Sequence, residues 1–299
     1  MNLSTSNYWP IKSLLFVPAN REDFVLKAMR FKPQAVILDL EDAVPKQELG
    51  QARLQVKKLM KILHDDHIIC FVRINSLQEG GLDDLNFIVC EHLSGIMVPK
   101  IESAKDTILI DQLLLDLEIK ANLPPQSIDI IALPETALGI YQGFEIANAS
   151  PRVKSLMTGV SGPTGGDIAK AIGYEASPEG LEQLYLQSKI VLESKAANAP
   201  YPIAGIIGMN IKDLDYVKVL IERAKQIGFT GVALIHPSHV EIANQVFSLS
   251  AEDIKYHQGL VQTFLDANAK GQGATTFQGS MIDQAMYERS LAILKTIEN

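Results

Sequence analysis

Short apolar runs alternate with longer amphipathic segments along the whole chain. The runs are almost continuous in Val, Ile, Leu and Ala, whereas a strand with one solvated face would alternate apolar and polar positions. Continuous apolar runs are typical of strands buried on both faces of a parallel sheet that is covered by helices. We therefore predict eight strands, at residues 13–17, 35–40, 68–74, 95–99, 128–134, 156–160, 202–208 and 231–235.

The segments between the runs carry apolar residues at helical spacing. The pattern predicts a helix over 46–63, another before Asn198, and a third over 214–224 that Gly228 is suited to end. About eight strands, each followed by a helix, favour an α/β fold of the (β/α)8 TIM-barrel class. A doubly wound open sheet is the alternative, and the number of strands and the single-domain length favour the barrel.

The pattern changes after the last predicted strand. Residues 245–264 and 284–297 are predicted to be helices, and a Gly-rich stretch at 269–274 lies between them as a hinge. We therefore divide the chain into a barrel domain, 1–249, and a C-terminal segment, 250–299. A simple packing tail and a lid with a role in oligomerisation are both compatible with this segment, because glycine hinges commonly flank mobile covers over sites.

Composition and charge narrow the function classes. The 299 residues are 47% apolar and carry a net charge of −8, which argues against a protein that binds nucleic acid or an anionic membrane. Two cysteines are too few for a disulfide scaffold, and no apolar run approaches the roughly 20 residues of a membrane span. The first ten residues lack the apolar stretch of a signal peptide, so we expect a cytoplasmic protein.

Polar residues follow almost every predicted strand, where the active site of this barrel class lies. The carboxylates among them would repel one another unless a cation lay between them. Mg²⁺ typically takes one or two protein carboxylates, and no zinc-like spacing of His and Cys occurs. The residues concerned are Asn20, Arg21, Asp39, Glu41, Asp42, Arg73, Asn75, Lys100, Glu102, Glu135, Asp167 and His236.

Individual residues at these strand ends keep more than one interpretation. Glu135 follows an apolar strand and Pro134, which favours ligation of a cation, whereas Asp42 is expected to support catalysis as a helix cap or ion-pair partner. Arg73 could neutralise neighbouring carboxylates or hold an anionic substrate through paired hydrogen bonds. His236 could be an acid, a base, a substrate contact or a structural histidine.

Two further features bear on ligand binding. Arg21 and Lys27 open the first predicted helix, where they could bind phosphates or remain solvated surface charges. The loop 161–167 is rich in glycine but lacks the Gly-Lys-Ser/Thr of a P-loop, and no Gly-x-Gly-x-x-Gly follows any strand. The loop is therefore expected to let the backbone approach a ligand closely.

As a set, these residues resemble the citrate lyase β-subunit-like group of the HpcH/HpaI aldolase superfamily, which includes malyl-CoA and citramalyl-CoA lyases. The matching segments occur in family order over nearly the whole chain. They are residues 12–18 (KSLLFVP), 38–44 (LDLEDAV), 72–75 (VRIN), 98–100 (VPK), 135–139 (ETALG), 167–173 (DIAKAIG), 233–237 (ALIHP) and 279–283 (GSMID).

The resemblance implies a TIM barrel, trimeric or hexameric, that uses Mg²⁺ to cleave or form a carbon–carbon bond next to a CoA thioester. It implies that Glu135 and Asp167 ligate the metal and that Arg73 stabilises the thioester enolate. It further implies that Asp283 acts as acid or base from a C-terminal lid. The positions at which relatives contact the CoA portion are occupied by Phe16, Arg21 and Lys27.

The chain also differs from its relatives. Lys12 stands where Arg is usual, and Ala19 stands where Gly is common. Relatives commonly place Gly-x-Glu-Asp shortly after the sixth strand, whereas here the segment 159–167 is longer and has Gly166 in place of the Glu.

We therefore predict a Mg²⁺-dependent lyase acting on a 3-hydroxyacyl-CoA thioester. Three alternatives remain: a class II pyruvate aldolase acting on free acids, an acyl-CoA thioesterase, and a CoA-thioester-binding protein without turnover. The joint presence of Arg73, Glu135, Asp167 and Asp283 argues against the last of these.

Overall fold

The computed structural model describes residues 8–162 and 166–295. Contacts between residues divide the chain into two compact units, and the boundary in the sequence lies between Phe247 and Ser248. No helix in the described part of the chain has the length and apolar character needed to cross a bilayer.

The first unit is built around a closed barrel of eight parallel strands that pair in chain order, and β8 pairs with β1 to close it. This closure confirms the TIM barrel and excludes the open sheet. Each strand begins and ends within three residues of a predicted apolar run. The strands are β1 (Ser13–Pro18), β2 (Ala35–Asp39), β3 (Ile69–Arg73), β4 (Gly95–Pro99), β5 (Asp129–Leu133), β6 (Val153–Ser161), β7 (Ile203–Ile207) and β8 (Gly231–Leu234).

Helices surround this barrel, and the three that were predicted individually for it are present as α2 (Leu49–Asp65), α8 (Leu181–Ala196) and α9 (Leu214–Ile227). The predicted helix 46–63 begins as a 3-10 turn at Lys46–Glu48, and Gly228 ends α9 with a left-handed φ of 114°. The helices are α1 (Glu22–Met29), α2 (Leu49–Asp65), α3 (Gly81–Ile88), α4 (Ala104–Lys120), α5 (Ala137–Tyr141), α6 (Gly143–Asn148), α7 (Asp167–Ile172), α8 (Leu181–Ala196), α9 (Leu214–Ile227) and α10 (Val240–Phe247).

Alternate residues of each strand enter two different apolar cores. Ala35 and Ile37 of β2 belong to the core inside the barrel, whereas Val36 and Leu38 pack between the barrel and its helices. Successive side chains of a strand point to opposite faces, so one strand serves both cores. This double burial explains why the strands appear in the sequence as unbroken apolar runs.

Two aromatic residues that precede β1 pack against the inner core. The Tyr8 hydroxyl and the Trp9 indole N–H both donate to Asp129 Oδ2, at 2.7 and 2.8 Å, and both rings contact Phe71 edge-on. Asp129 begins β5, so these contacts lie at the amino-terminal ends of the strands. Polar residues at the opposite ends are left available for a ligand.

The second unit contains α11 (Ala251–Asn268), β9 (Ala274–Phe277), β10 (Ser280–Asp283) and α12 (Gln284–Lys295). The single helix predicted over 245–264 is wrong, because α10 ends at Phe247 and Ser250 caps α11 in a capping box with Asp253. The antiparallel hairpin β9–β10 was not predicted. The last two residues of the predicted helix 284–297 lie outside the described residues.

Candidate active site

The inward-facing register of the strands continues into polar residues at their carboxyl ends. On β2 the inner-core residue Ile37 is followed two positions later by Asp39, and on β3 Phe71 is followed in the same way by Arg73. Glu135 lies two residues beyond Leu133, the last residue of β5. The period of two along a strand therefore places these charges directly above the apolar filling of the barrel.

Arg73 is held by carboxylates from the end of β2. Its Nε and Nη2 atoms donate to the two oxygens of Asp39 at 2.7 and 2.5 Å, and Nη1 lies 2.9 Å from Glu41 Oε2. The Phe16 ring lies below the guanidinium, 5.0 Å from centroid to Cζ. Burial opposes the charge of Arg73, but Asp39 and its neighbours outweigh it and raise the pKa.

Both interpretations of Arg73 are therefore compatible with the geometry. The guanidinium neutralises Asp39 and Glu41, as one interpretation required. A guanidinium carries five N–H donors, of which Asp39 takes one from Nε and one from Nη2, whereas Glu41 Oε2 lies close to Nη1 but accepts no hydrogen bond from the described residues. The remaining N–H groups of Nη1 and Nη2 can serve an anionic ligand.

Glu135 is a largely buried carboxyl group without a cationic contact among the described residues. Its Oε1 atom is buried and has no hydrogen-bond partner among them. Burial, together with the charges of Glu41 and Asp167, raises the pKa of Glu135 to about 8, although Arg73 and Lys100 oppose the shift. A carboxyl placed this way lacks a counter-charge that a cation could supply.

The chain immediately after Glu135 is fixed by a helix cap. The Thr136 side chain accepts the Gly139 N–H at 3.0 Å at the start of α5 and donates to Glu102 at 2.7 Å. Glu135 therefore projects from a short segment held at both ends, between β5 and α5. Such support is what a ligating or catalytic side chain needs to keep its position.

A cavity of about 720 Å³ opens at this end of the barrel. Asp42 lies at its edge with 59% of its side chain exposed, 3.5 Å from Arg73 Nη1. The His236 Nδ1 atom accepts the Ser238 N–H at 3.3 Å and lies 2.7 Å from the Ser238 hydroxyl. The structure brings together seven of the predicted site residues as lining of this cavity: Phe16, Lys27, Asp42, Arg73, Glu135, Asp167 and His236.

Two predicted site residues are placed differently. Arg21 is exposed, forms a bidentate ion pair with Asp23 at 2.8 and 2.9 Å, and lies over the Phe24 ring. Asp283 belongs to the second unit, where its Oδ1 accepts the backbone N–H groups of Ala285 and Met286 at the start of α12.

The described residues offer a pair of carboxylates to a magnesium ion but no complete set of protein ligands. No group of three or more His, Cys, Asp or Glu side chains within them could hold a metal ion. Mg²⁺, however, commonly takes one or two carboxylates and completes its shell with water and substrate. The unpartnered Oε1 of Glu135 and the carboxylate of Asp167 on the same cavity supply such a pair.

The loop before Asp167 is described only in part. Residues 163–165 of the predicted Gly-rich loop lie outside the described residues. Gly166 lines the cavity and directly precedes α7, which begins at Asp167. A Cβ at Gly166 would lie 2.7 Å from Ile207 Cδ1, so the chain passes close to β7 there.

Three residues of this site were noted at strand ends without a catalytic or binding role, although Asp39 and Glu41 were the carboxylates that Arg73 would neutralise under one interpretation. Asp39 and Glu41 hold Arg73, and Lys100 pairs with Glu41 at 2.6 Å. The period of two along β2 could have identified Asp39 as inward-facing. The same period could not predict that Lys100 points toward Glu41, because Lys100 lies directly after β4 and adopts a positive φ of 51°.

Comparisons with known proteins bear on the family and the fold of the chain. A sequence profile described as HpcH/HpaI aldolase/citrate lyase matches residues 12–237. The chain is 29% identical to the citrate lyase subunit beta of Haemophilus influenzae, over 95% of this chain and 96% of that protein. It is 31% identical to a (3S)-malyl-CoA thioesterase of Cereibacter sphaeroides, over 92% and 90% of the two chains.

Among solved structures, the chain is similar to the protein CitE from Mycobacterium tuberculosis in complex with magnesium, acetoacetate and coenzyme A. The two chains share 26% identity and superimpose with a TM-score of 0.71 over 96% of this chain and 98% of the other. That structure holds magnesium and coenzyme A together in one protein of this fold.

Proposed function

Because the chain belongs to the HpcH/HpaI aldolase/citrate lyase family, we propose that it is a magnesium-dependent lyase of CoA thioesters. It cleaves a 3-hydroxyacyl-CoA of the malyl-, citramalyl- or citryl-CoA type into an acyl-CoA and a 2-keto acid, or forms it from them. The observation that supports it most is the carboxylate oxygen of Glu135 that has no hydrogen-bond partner among the described residues and shares one cavity with Asp167 and Arg73.

Glu135 and Asp167 are the residues proposed to hold the metal. When bound, Mg²⁺ supplies a Lewis acid for the oxygens of the keto-acid half. Both carboxylates line the cavity beside Arg73, so the ion would offset the negative charge that raises the pKa of Glu135. The keto-acid half of the substrate is therefore placed near these two side chains.

Arg73 is proposed to stabilise the charge that develops on the thioester. In the cleavage direction the 3-hydroxyl group loses its proton to solvent, the bond between C2 and C3 breaks, and the electron pair passes to the thioester as an enolate. A preorganised cation lowers the energy of such a charge. The guanidinium is oriented by Asp39 and Glu41 before any ligand arrives, and it retains N–H groups for the enolate oxygen.

Asp283 is proposed to exchange the remaining proton. It would protonate C2 of the enolate in cleavage and remove that proton in condensation, a role of general acid–base catalysis. As the cap of α12, the carboxylate of Asp283 has a defined orientation within the second unit. Asp42 is proposed to support Arg73 from the edge of the cavity, at 3.5 Å.

The CoA portion is proposed to lie along β1 and α1. Phe16 and Lys27 line the cavity there, and Lys27 is exposed and suited to a phosphate. Arg21 would contribute to CoA binding only if a phosphate replaced Asp23 as its ion-pair partner. The cavity of about 720 Å³ favours a thioester over a free acid, because sites of this volume enclose drug-sized ligands.

Hydrolysis of the thioester is a second candidate function. The similarity to a (3S)-malyl-CoA thioesterase, at 31% identity, favours it. In this reaction water attacks the thioester carbonyl, and CoA leaves with the proton. The products are then free malate and CoA, without a keto acid or acetyl-CoA.

One product analysis separates the two functions. Malyl-, citramalyl- and citryl-CoA are each incubated with the protein and Mg²⁺, and the products are identified by mass spectrometry. The proposal predicts a keto acid and a shorter acyl-CoA with at least one substrate, and no reaction in EDTA. Free hydroxy acid and CoA alone would assign the protein as a thioesterase, and no reaction with any of them would contradict both.

The assembly and location are also proposals. The protein is proposed to be cytoplasmic, and its resemblance to the family supports a homotrimer or hexamer. Sedimentation equilibrium would test the number of chains, and a monomer at micromolar concentration would contradict it.

A further inference from the structure

Lys100 reaches the site through an unusual backbone turn. β4 ends at Pro99, and the next residue adopts φ of +51°, a region that residues other than glycine rarely occupy. The turn is accompanied by an ion pair with a residue that follows a different strand, since Lys100 Nζ lies 2.6 Å from Glu41 Oε1. Six other described non-glycine residues share a positive φ, so the ion pair, and not the turn alone, points to a role for Lys100.

Glu41 links Lys100 to Arg73. Its carboxylate is buried, with Oε1 on Lys100 and Oε2 2.9 Å from Arg73 Nη1. Asp39 holds the opposite edge of the same guanidinium. Lys100, Glu41, Arg73 and Asp39 thus form a chain of alternating charge across the ends of three neighbouring strands.

The two oxygens of Glu41 face different cations, and this arrangement determines how many N–H groups of Arg73 stay available to a ligand. A carboxylate and a guanidinium favour a bidentate pair with two parallel hydrogen bonds. Here only one oxygen of Glu41 faces Arg73, because Lys100 occupies the other. If the lysine were removed, Glu41 could turn both oxygens to the guanidinium and take up the N–H groups that a ligand requires.

We propose that Lys100 is a positioning residue for Arg73, which it keeps available to substrate by holding Glu41 on one oxygen. The inference rests on the proposed function, in which Arg73 stabilises the thioester enolate. Lys100 acts through Glu41 and not on the reacting atoms. Its loss should therefore lower kcat more than it raises KM, because the interaction that suffers is made in the transition state.

The test compares variants at Lys100 with a matched ion pair elsewhere. Lys100→Met should lower kcat by on the order of 10²-fold, the cost of a displaced catalytic group. Lys100→Arg, which keeps the charge, should retain most of the activity. Lys58→Met is the control, because Lys58 forms an ion pair of the same 2.6 Å length with Glu22 but is exposed and away from the cavity.

A second substitution tests the path through Glu41. In Lys100→Met/Glu41→Gln the carboxylate that would close on Arg73 is gone, so kcat should recover relative to Lys100→Met alone. Wild-type kcat in Lys100→Met, or a double variant no better than the single one, would overturn the proposal. If Lys100→Met does not fold, Lys100→Gln with and without Glu41→Gln gives the same comparison.

A readout without turnover separates this inference from the proposed function. In protein labelled with ¹⁵N-arginine, the Nε signal of Arg73 should shift in Lys100→Met and return toward its wild-type position in the double variant. That result without any thioester turnover would contradict the proposed function and support the positioning role. Normal turnover with an unmoved signal in Lys100→Met would contradict the positioning role alone.

Discussion

Replacing Glu135 by glutamine should stabilise the protein without metal at alkaline pH and abolish its stabilisation by Mg²⁺. Burial raises the pKa of this carboxyl from its ordinary 4.5 to about 8 in the folded chain. Between those values the folded chain keeps a proton that the unfolded chain has released, so stability falls as pH rises. The full loss above pH 8 corresponds to at most about 5 kcal/mol. Glutamine carries no charge and escapes this loss.

The assay is urea denaturation at pH 5, 7 and 9, in EDTA and in Mg²⁺. In EDTA the variant should match the wild type near pH 5 and exceed it at pH 9, by several kcal/mol. In Mg²⁺ the wild type should gain stability and the variant should not, because ligand binding stabilises only the state that binds. Asp42→Asn, at an exposed carboxylate of the same cavity, serves as the control. Equal stability of Glu135→Gln and wild type at pH 9 in EDTA would refute the reasoning.

Three further substitutions test other parts of the structure. Asp283→Asn, which can still cap α12, should lower turnover by on the order of 10²–10⁴-fold, and unchanged turnover removes it from the mechanism. Glu118→Gln weakens a fully buried bidentate pair with Arg152, which keeps Asp111 as a second partner, and should cost about 1–3 kcal/mol by urea denaturation, while kcat of the folded protein stays unchanged. Ser250→Ala removes the α11 cap and should cost about 1 kcal/mol; no loss contradicts the capping role.

The barrel could be predicted from the sequence because double burial leaves a strong signal. Strands that face two apolar cores contain few polar positions, and all eight appeared as apolar runs. The family and the class of enzyme were predicted from motifs at the strand ends, and the profile match and the citrate lyase relative confirm both.

The second unit was harder to predict because its elements are marked in the sequence only by short strands and single capping residues. The hairpin β9–β10 turns at Gln278 and Gly279, both at positive φ, and its strands are only four residues long. Such short strands have little periodicity to detect. The break at Ser250 was visible in principle, because Ser and Asp three residues apart are suited to a capping box.

The site was predicted as a set of residues but not as a network. Sequence spacing placed Arg73 and Glu135 at the same end of the barrel, but it could not show that Asp39 takes one whole edge of the guanidinium. The ion pair of Lys100 with Glu41 joins residues 59 positions apart in the sequence. It is accompanied by a positive φ at Lys100, which the presence of a lysine does not predict. These contacts depend on the closed barrel, which brings distant strand ends together.

The central claim is tested most directly by a crystal structure of the protein grown with Mn²⁺ in place of Mg²⁺ and with pyruvate. Manganese scatters anomalously and accepts the same oxygen ligands. The account predicts an anomalous peak bound by the carboxylates of Glu135 and Asp167, with pyruvate completing the shell on the side of Arg73. Side chains of Glu135 and Asp167 that point apart, with no peak between them, would contradict it.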